Sequence, residues 1–386
     1  MKYNDNFNAL GESYVFSKLN ALVKKKRAQG ETIIDLGVGD VRLPLFDVAT
    51  EKMSTTSLDM AREDTFLGYP PAEGIPTLRE KISEHYKTEG ASVDMDEIFI
   101  SDGAKGEIGN VLELFGPKAN VLIVTPCYPA YAEANTLYGN NITFLPTSKE
   151  NEFRPLPPYR GTFDIIYLCV PNNPTGVTLG KDELEEWVNY ALNTGAVIIF
   201  DGAYSDFSTD GYPTSIYQIQ GAKYCAIEIR SFSKSFGFTG IRCGYTVIPK
   251  TLGEYNRLWK RRLGCRFNGV SYITQKGAET FFSSEGQKQA IKRIKYYKTN
   301  AEILKIALKK AGFWFVNGNS SPYVFAKCPD NLSSEKFCEK LIDDYKIAAT
   351  PGNAFGEGGE GYFRLSAFPK REDILAASDI LENLKF

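Results

Sequence analysis

Between about residues 70 and 250 the chain alternates two kinds of hydrophobic pattern. Short, almost continuously apolar runs at 97–101, 120–124, 164–170, 196–200, 224–230 and 244–248 predict strands. Segments with helical apolar spacing near 75–87, 104–115, 129–137 and 182–194 separate them. Strands that are apolar at every position, rather than at every second one, belong to a sheet covered on both faces. Strands separated by helices imply an α/β fold with a mostly parallel sheet. Upstream, 17–27 has helical character, and 32–36 reads as a short strand running into Gly37-Val-Gly-Asp40.

Beyond residue 280 the character changes to a long helical stretch at 287–311, strand-like 313–316 and 323–326, a helix at 334–345 and a strand at 362–366. These predict a smaller α+β domain. With 386 residues the chain is long enough for two domains. We place the large one at 49–282 and the small one at 1–48 plus 283–386.

Hydrophobic content of 43% and charged content of 24% lie in the ordinary globular range. A net charge of −2 speaks against nucleic acid or an anionic membrane as partner. The basic run at 288–298 then reads as the solvated face of a bridging helix. The seven cysteines are scattered through apolar runs without paired spacings, as expected for core residues in a reducing compartment. The start lacks an apolar leader and no run approaches membrane-spanning length, so a soluble cytoplasmic protein is expected. The single histidine, His85, sits among charged residues and is expected on a solvated helical face. Its solitude excludes a multi-histidine metal site and argues against a Ser-His-Asp triad, so no metal is expected.

In parallel α/β sheets ligands bind beyond the carboxyl ends of the strands. The residues that follow the strands here are Asp102-Gly-Ala-Lys105, Tyr128-Pro-Ala-Tyr131, Pro171-Asn-Asn-Pro-Thr-Gly176, Asp201-Gly-Ala-Tyr204 and Ser231-Phe-Ser-Lys234. A lysine in a loop between two buried strands loses hydration, which lowers its pKa and makes it a usable amine. Taken singly, each residue has a plainer reading. Lys234 could be a surface lysine, Asp201 a helix cap, Asn173 part of a turn, Tyr128 core and Arg364 a surface strand residue. As a set they match what pyridoxal phosphate demands: an amine, a carboxylate for the ring nitrogen, a phosphate cup, an aromatic face and a guanidinium for a substrate carboxylate.

The ordered set resembles the fold-type-I pyridoxal-phosphate aminotransferases over essentially the whole chain. Asn172-Asn-Pro-Thr-Gly and Ser231-Phe-Ser-Lys mark that superfamily. Gly11-Glu-Ser-Tyr-Val-Phe and Phe267-Asn-Gly also carry the match, and Gly237-Phe-Thr-Gly-Ile-Arg and Gly358-Gly-Glu-Gly are closer to one branch, the LL-diaminopimelate aminotransferases of lysine biosynthesis. The resemblance implies a seven-stranded mixed, mostly parallel sheet in the large domain and pyridoxal 5′-phosphate as cofactor. It implies Lys234 as the Schiff-base lysine, Asp201 at the pyridinium nitrogen and Tyr128 over the ring. Gly103, Ala104, Lys105, Ser231, Ser233 and Arg242 would surround the phosphate, and Asn173 and Tyr204 the phenolic oxygen. Substrate would meet Gly39, Asn173 and Arg364, the last on its α-carboxylate. The resemblance also implies a homodimer with shared sites, Tyr14, Tyr69 and Asn268 being residues that a partner subunit contributes.

Two positions depart from the branch. Ala72 replaces an acidic residue tied to the distal ammonium of diaminopimelate, with Glu73 one place later, and Val41-Arg42-Leu43 replaces a short polar run. A relative acting on another acidic or aromatic amino acid, or a lyase on the same fold, would keep the same cofactor residues. A P-loop reading of Gly103-Ala-Lys105 lacks the required spacing.

Overall fold

The computed structural model describes residues 2–10, 15–209, 211–318 and 320–384, without the side chains of 15–18. Among the described residues twelve strands follow in order: β1 (Ile34–Asp35), β2 (Ile98–Ser101), β3 (Asn120–Thr125), β4 (Asn141–Pro146), β5 (Ile165–Cys169) and β6 (Val197–Asp201). Then come β7 (Ala226–Ser231), β8 (Gly244–Val247), β9 (Tyr323–Lys327), β10 (Ile347–Ala348), β11 (Thr350–Pro351) and β12 (Tyr362–Ser366). The helices are α1 (Val15–Ala28), α2 (Asp47–Asp59), α3 (Pro76–Thr88), α4 (Ala104–Asn110), α5 (Ala130–Tyr138) and α6 (Lys181–Thr194). They continue with α7 (Tyr255–Arg266), α8 (Tyr272–Glu279), α9 (Ser284–Lys310), α10 (Ser334–Tyr345) and α11 (Arg371–Leu381).

Seven strands form one mixed sheet in the order β2-β8-β7-β6-β5-β3-β4. Only β8 runs antiparallel to its neighbours, which are β2 and β7. The register sets Cys169 opposite Asp201 and Asp201 opposite Ile229. The carboxyl ends of β5, β6 and β7 therefore lie along one edge of the sheet, and the residues after them share a rim.

Successive residues of a strand point to opposite faces. Ile98, Ile100, Ile166, Leu168, Ile198 and Phe200 pack on one side against Leu78, Ile82, Leu184 and Trp187 of α3 and α6. Phe99, Val121, Ile123, Ile165, Ile199 and Ile227 pack on the other against Ile108 of α4 and Trp259 and Leu263 of α7. That double covering is why these strands read as unbroken apolar runs.

Two smaller sheets, β11-β12-β9 and β1-β10, share a separate core. It joins Leu36 to Leu304, Leu308, Phe337, Leu341, Phe363, Leu365 and Ile374. α9 runs for 27 residues from a cap at Ser283, whose hydroxyl accepts the Gly286 amide at 3.0 Å. Its basic run is not wholly solvated. Arg293 is buried with its guanidinium 3.9 Å from the Phe46 ring centre, and Tyr297 beside it is buried too.

Other expectations shift in detail. The strand expected at 313–316 is a single bridge, Phe315 to Ala326. The helix expected through 115 changes after Asn110 to a tighter 3-10 turn. His85 is not out in solvent: it lies half-buried against the rings of Phe281 and Phe282, with Nε2 3.5 Å from Glu89. β4 escaped the pattern because it is an edge strand with mostly exposed positions. α2 escaped it because only Ala49 and Thr56 are buried, leaving no bulky stripe. Among the described residues, no helix is long and apolar enough to cross a membrane.

Candidate active site

A cavity of about 410 Å³ opens at the strand ends. Its wall includes Lys234, Asp201, Tyr128, Asn173, Tyr204 and Arg364. Gly39, Ala104, Lys105, Ser231, Ser233 and Arg242 also line it, as do Asp40, Tyr131, Cys169 and Tyr323, to which the sequence assigned no role. The signals for these four are slight. Tyr131 closes the Tyr-x-x-Tyr spacing that begins at Tyr128, Asp40 ends the Gly-Val-Gly-Asp turn, and Cys169 and Tyr323 read as ordinary strand residues.

Lys234 donates from Nζ to the carbonyl of Gly39. Burial pushes the amine down from 10.5 to about 8. The carboxylate of Asp40 opposes that fall, while the guanidinium groups of Arg364 and Arg242 add to it. A lysine near 8 is neutral in about a tenth of molecules at pH 7, far more than at the ordinary value, and the neutral state is the one in which it is a nucleophile and a base.

Asp201 ends β6 and is 4% exposed. Tyr131 donates its hydroxyl to Oδ2 at 2.6 Å, and the Ala203 amide donates to Oδ1 at 2.9 Å. Burial drives the carboxyl above its ordinary value, and these two donors pull it back. Tyr131 is held by stacking on Tyr167, with centroids 5.0 Å apart and planes at 22°. No basic side chain among the described residues pairs with Asp201, so the carboxylate faces the cavity ready for a cation.

Beside it lies an anion cup. Gly103 precedes α4 with φ of 122°, and a Cβ there would stand 2.6 Å from the Arg242 Nη2 atom. Only glycine lets the guanidinium and the backbone come this close. Arg242 itself sits at φ 69° and reaches the Ser233 hydroxyl at 3.5 Å. The Ser231 hydroxyl accepts the Ser233 amide at 3.1 Å. The first amides of α4, at Ala104 and Lys105, point at the same space.

On the opposite wall Arg364 is 1% exposed. It donates to Asn173 Oδ1 at 2.8 Å and to the Gly37 carbonyl at 2.6 Å. Its guanidinium stacks 4.3 Å from the Tyr323 ring centre. The Thr350 hydroxyl also donates to Gly37, at 2.7 Å, which anchors the glycine turn to the small sheet. Tyr204 and Tyr323 share a hydroxyl–hydroxyl bond of 2.7 Å. Tyr128 lies edge-on to Tyr131, 5.9 Å between centroids, with the Lys105 ammonium 6.0 Å from its ring centre.

Gly103, expected at the phosphate, does not itself line the cavity but precedes Ala104, which does, and three further expected residues are not gathered into it. Tyr69 is 85% exposed, Asn268 is exposed, and Tyr14 lies outside the described residues. Arg42, Ala72 and Glu73 do not line it either. Arg42 is exposed, and Ala72 packs at the edge of the core beneath the sheet.

A half-buried, desolvated amine, a buried carboxylate without a cationic partner and an anion cup around one cavity define an amino-group-transferring site on this fold. The family profile of the class I and II aminotransferases matches residues 31–379, and the chain belongs to that family. Members of the family depend on pyridoxal phosphate. Among its relatives is an LL-diaminopimelate aminotransferase of Parabacteroides distasonis, 44% identical over 397 residues and covering 97% of each chain. The solved L,L-diaminopimelate aminotransferase of Chlamydomonas reinhardtii superposes with a TM-score of 0.93 at 34% identity, covering 99% of this chain and 98% of that one. An aromatic aminotransferase of Pyrococcus horikoshii superposes with a TM-score of 0.84 at 27% identity, covering 93% and 97%.

Proposed function

We propose that this protein is a pyridoxal-phosphate-dependent LL-diaminopimelate:2-oxoglutarate aminotransferase. One observation carries the reading: Lys234, Asp201 and Arg364 converge on a single cavity, the last two buried and the lysine half-buried. The relatives in Parabacteroides distasonis and Chlamydomonas reinhardtii supply the substrate.

The cavity fits the cofactor on its own chemistry. Asp201 offers a buried carboxylate to a ring nitrogen, and Ser231, Ser233 and Arg242 line the cavity beside the start of α4 as donors for a phosphate. Tyr128 would cover the ring, while Asn173 and Tyr204 would meet its phenolic oxygen. When bound, the pyridine ring withdraws electrons from the substrate α-carbon and so acidifies its C–H bond. Asp201 keeps the ring nitrogen protonated, which strengthens that pull. Arg364 grips the α-carboxylate with two parallel donors and fixes the C–H bond towards Lys234. Lys234 holds and returns the α-proton at Nζ, for which a pKa near 8 is suited. With amino acid and keto acid taking turns in one site, the kinetics are ping-pong.

The same reading includes a homodimer. It is supported by exposed Tyr69 and Asn268, with Phe66 at 64% and Leu67 at 37% exposure beside the first. It includes a large domain at 49–282 and a small one at 1–48 with 283–386, which the separate core around Leu36 and Phe363 supports. Unpaired cysteines throughout the described residues favour a cytoplasmic location.

Ala72 favours a second reading, a related aminotransferase for another acidic or aromatic amino acid. The test is the visible spectrum of the purified, pyridoxal-phosphate-loaded protein on single additions of LL-diaminopimelate, glutamate, aspartate and aromatic amino acids. Bleaching by both diaminopimelate and glutamate, with recovery on 2-oxoglutarate, is the expected result. Bleaching by glutamate and aromatic amino acids but not diaminopimelate establishes the second reading. Release of ammonia without need of a keto acid marks a lyase and overturns both.

A further inference from the structure

The cavity holds a second carboxylate that the reaction as described does not use. Asp40 follows Gly39 in the turn after β1 and lines the same wall as Lys234. Asp201, the other carboxylate there, is already engaged by Tyr131 and Ala203. Among the described residues, Asp40 makes neither a hydrogen bond nor an ion pair within the chain through its side chain.

Its position is not accidental. A Cβ on Gly39 would stand 2.2 Å from the Tyr323 hydroxyl, so the turn lies tight against β9. The carbonyls on either side of Val38 are both taken: Gly37 by Arg364 and Thr350, Gly39 by Lys234. The turn that brings its carbonyl to the lysine amine thus brings the Asp40 side chain with it. The other charged groups around the amine are Arg242 from the loop after β7, Arg364 from β12, Lys105 from α4 and Asp201 from β6. Tyr128, Tyr131, Cys169, Tyr204 and Tyr323 are the neutral titratable neighbours along the wall, and burial keeps the last four protonated. Cations therefore outnumber carboxylates, and the one carboxylate not already hydrogen-bonded lines the same cavity as Lys234.

We propose that Asp40 is a positioning residue for Lys234: its carboxylate offsets the surrounding guanidinium charge and holds the amine in reach of its proton near neutral pH. The inference rests on Lys234 being the reacting amine, as in the proposed function, but it concerns the amine itself and not the substrate. Without the Asp40 charge, Lys234 stays a nucleophile yet becomes a weaker base, because burial and two arginines are left unopposed. That the strongest opposing charge on the amine comes from Asp40 is consistent with this.

The experiment is competitive acetylation of the full-length, cofactor-stripped protein across a pH series, read by mass spectrometry on the Lys234 peptide. The exposed Lys181 is the internal reference. In Asp40→Asn the midpoint of Lys234 labelling is expected to fall by about one unit, with Lys181 unchanged. Asp40→Glu is expected to restore it, and Asp40→Ala repeats the loss should the amide disturb the turn. An unchanged midpoint in both neutral variants overturns the proposal. So does a fall that Asp40→Glu leaves uncorrected, since the effect would then come from the backbone turn and not from charge. Because no substrate is present, a wrong substrate assignment would leave every one of these outcomes as it is.

Discussion

Tyr131 donates its phenolic hydrogen to Asp201 across 2.6 Å inside the core, and this bond orients the carboxylate that faces the cavity. Tyr131 is itself fixed by the stacked ring of Tyr167. Removing the hydroxyl leaves Asp201 with the Ala203 amide alone, and its carboxyl rises further above the ordinary range. A hydrogen bond to a charged acceptor contributes about 1.5–3 kcal/mol. Tyr131→Phe is therefore expected to weaken pyridoxal phosphate binding by about ten- to a hundredfold. Absorbance titration of the stripped protein measures it, and unaltered affinity would show that Asp201 does not depend on this donor.

Gly103→Ala separates cofactor binding from stability. The added Cβ meets the tip of the Arg242 side chain, which can swing away, so the folding cost is chiefly backbone strain at φ 122°. That strain is about 1–3 kcal/mol. The displaced guanidinium leaves the cup, so phosphate affinity should fall at least tenfold while the protein remains folded. Equilibrium unfolding paired with cofactor titration distinguishes the two effects.

Arg364→Lys tests the carboxylate grip. Lysine has one charge but no fork, and it cannot replace the paired bonds to Asn173 and Gly37. We expect kcat/KM for amino acids to fall about a hundredfold or more, mostly through KM. An amine without an α-carboxylate should react at nearly the same rate with both proteins. Equal losses for both amines would place Arg364 outside substrate recognition.

The lysine makes stability depend on pH with a definite sign. Its folded value of about 8 lies below the ordinary 10.5, so between these two the unfolded chain binds more protons than the folded one. This contribution therefore stabilises the stripped protein progressively as pH rises from 8 to 10.5, and is unfavourable below. Lys234→Met removes it. The variant should gain about 3 kcal/mol on wild type near pH 7, an advantage largely gone above about pH 10. Urea unfolding at the two pH values gives the difference, and a constant gap would mean that the amine is not desolvated.

The strands of the large sheet and the loops after them were legible in the chain, because a sheet covered on both faces leaves unbroken apolar runs. Lys234, Asp201, Asn173, Tyr128 and Arg364 could be picked out since each follows or lies in such a run, and all five line one cavity. Elements held by few buried side chains were not legible. β4 at the sheet edge and α2 with its two small buried residues carry too little apolar periodicity to be read.

By itself the sequence determined the α/β class, the strand-end residues and the nature of the chemistry, all of which follow from local pattern and residue type. Tertiary structure alone decided that Tyr131 reaches Asp201, 70 positions away, and that Lys234 meets the Gly39 carbonyl, 195 positions away. It also decided that Arg364 is buried against Gly37, 327 positions distant, when its sequence fitted a surface strand equally well. These contacts come from how helices and strands pack across the cavity. No local periodicity encodes a distance between residues that the chain itself holds so far apart.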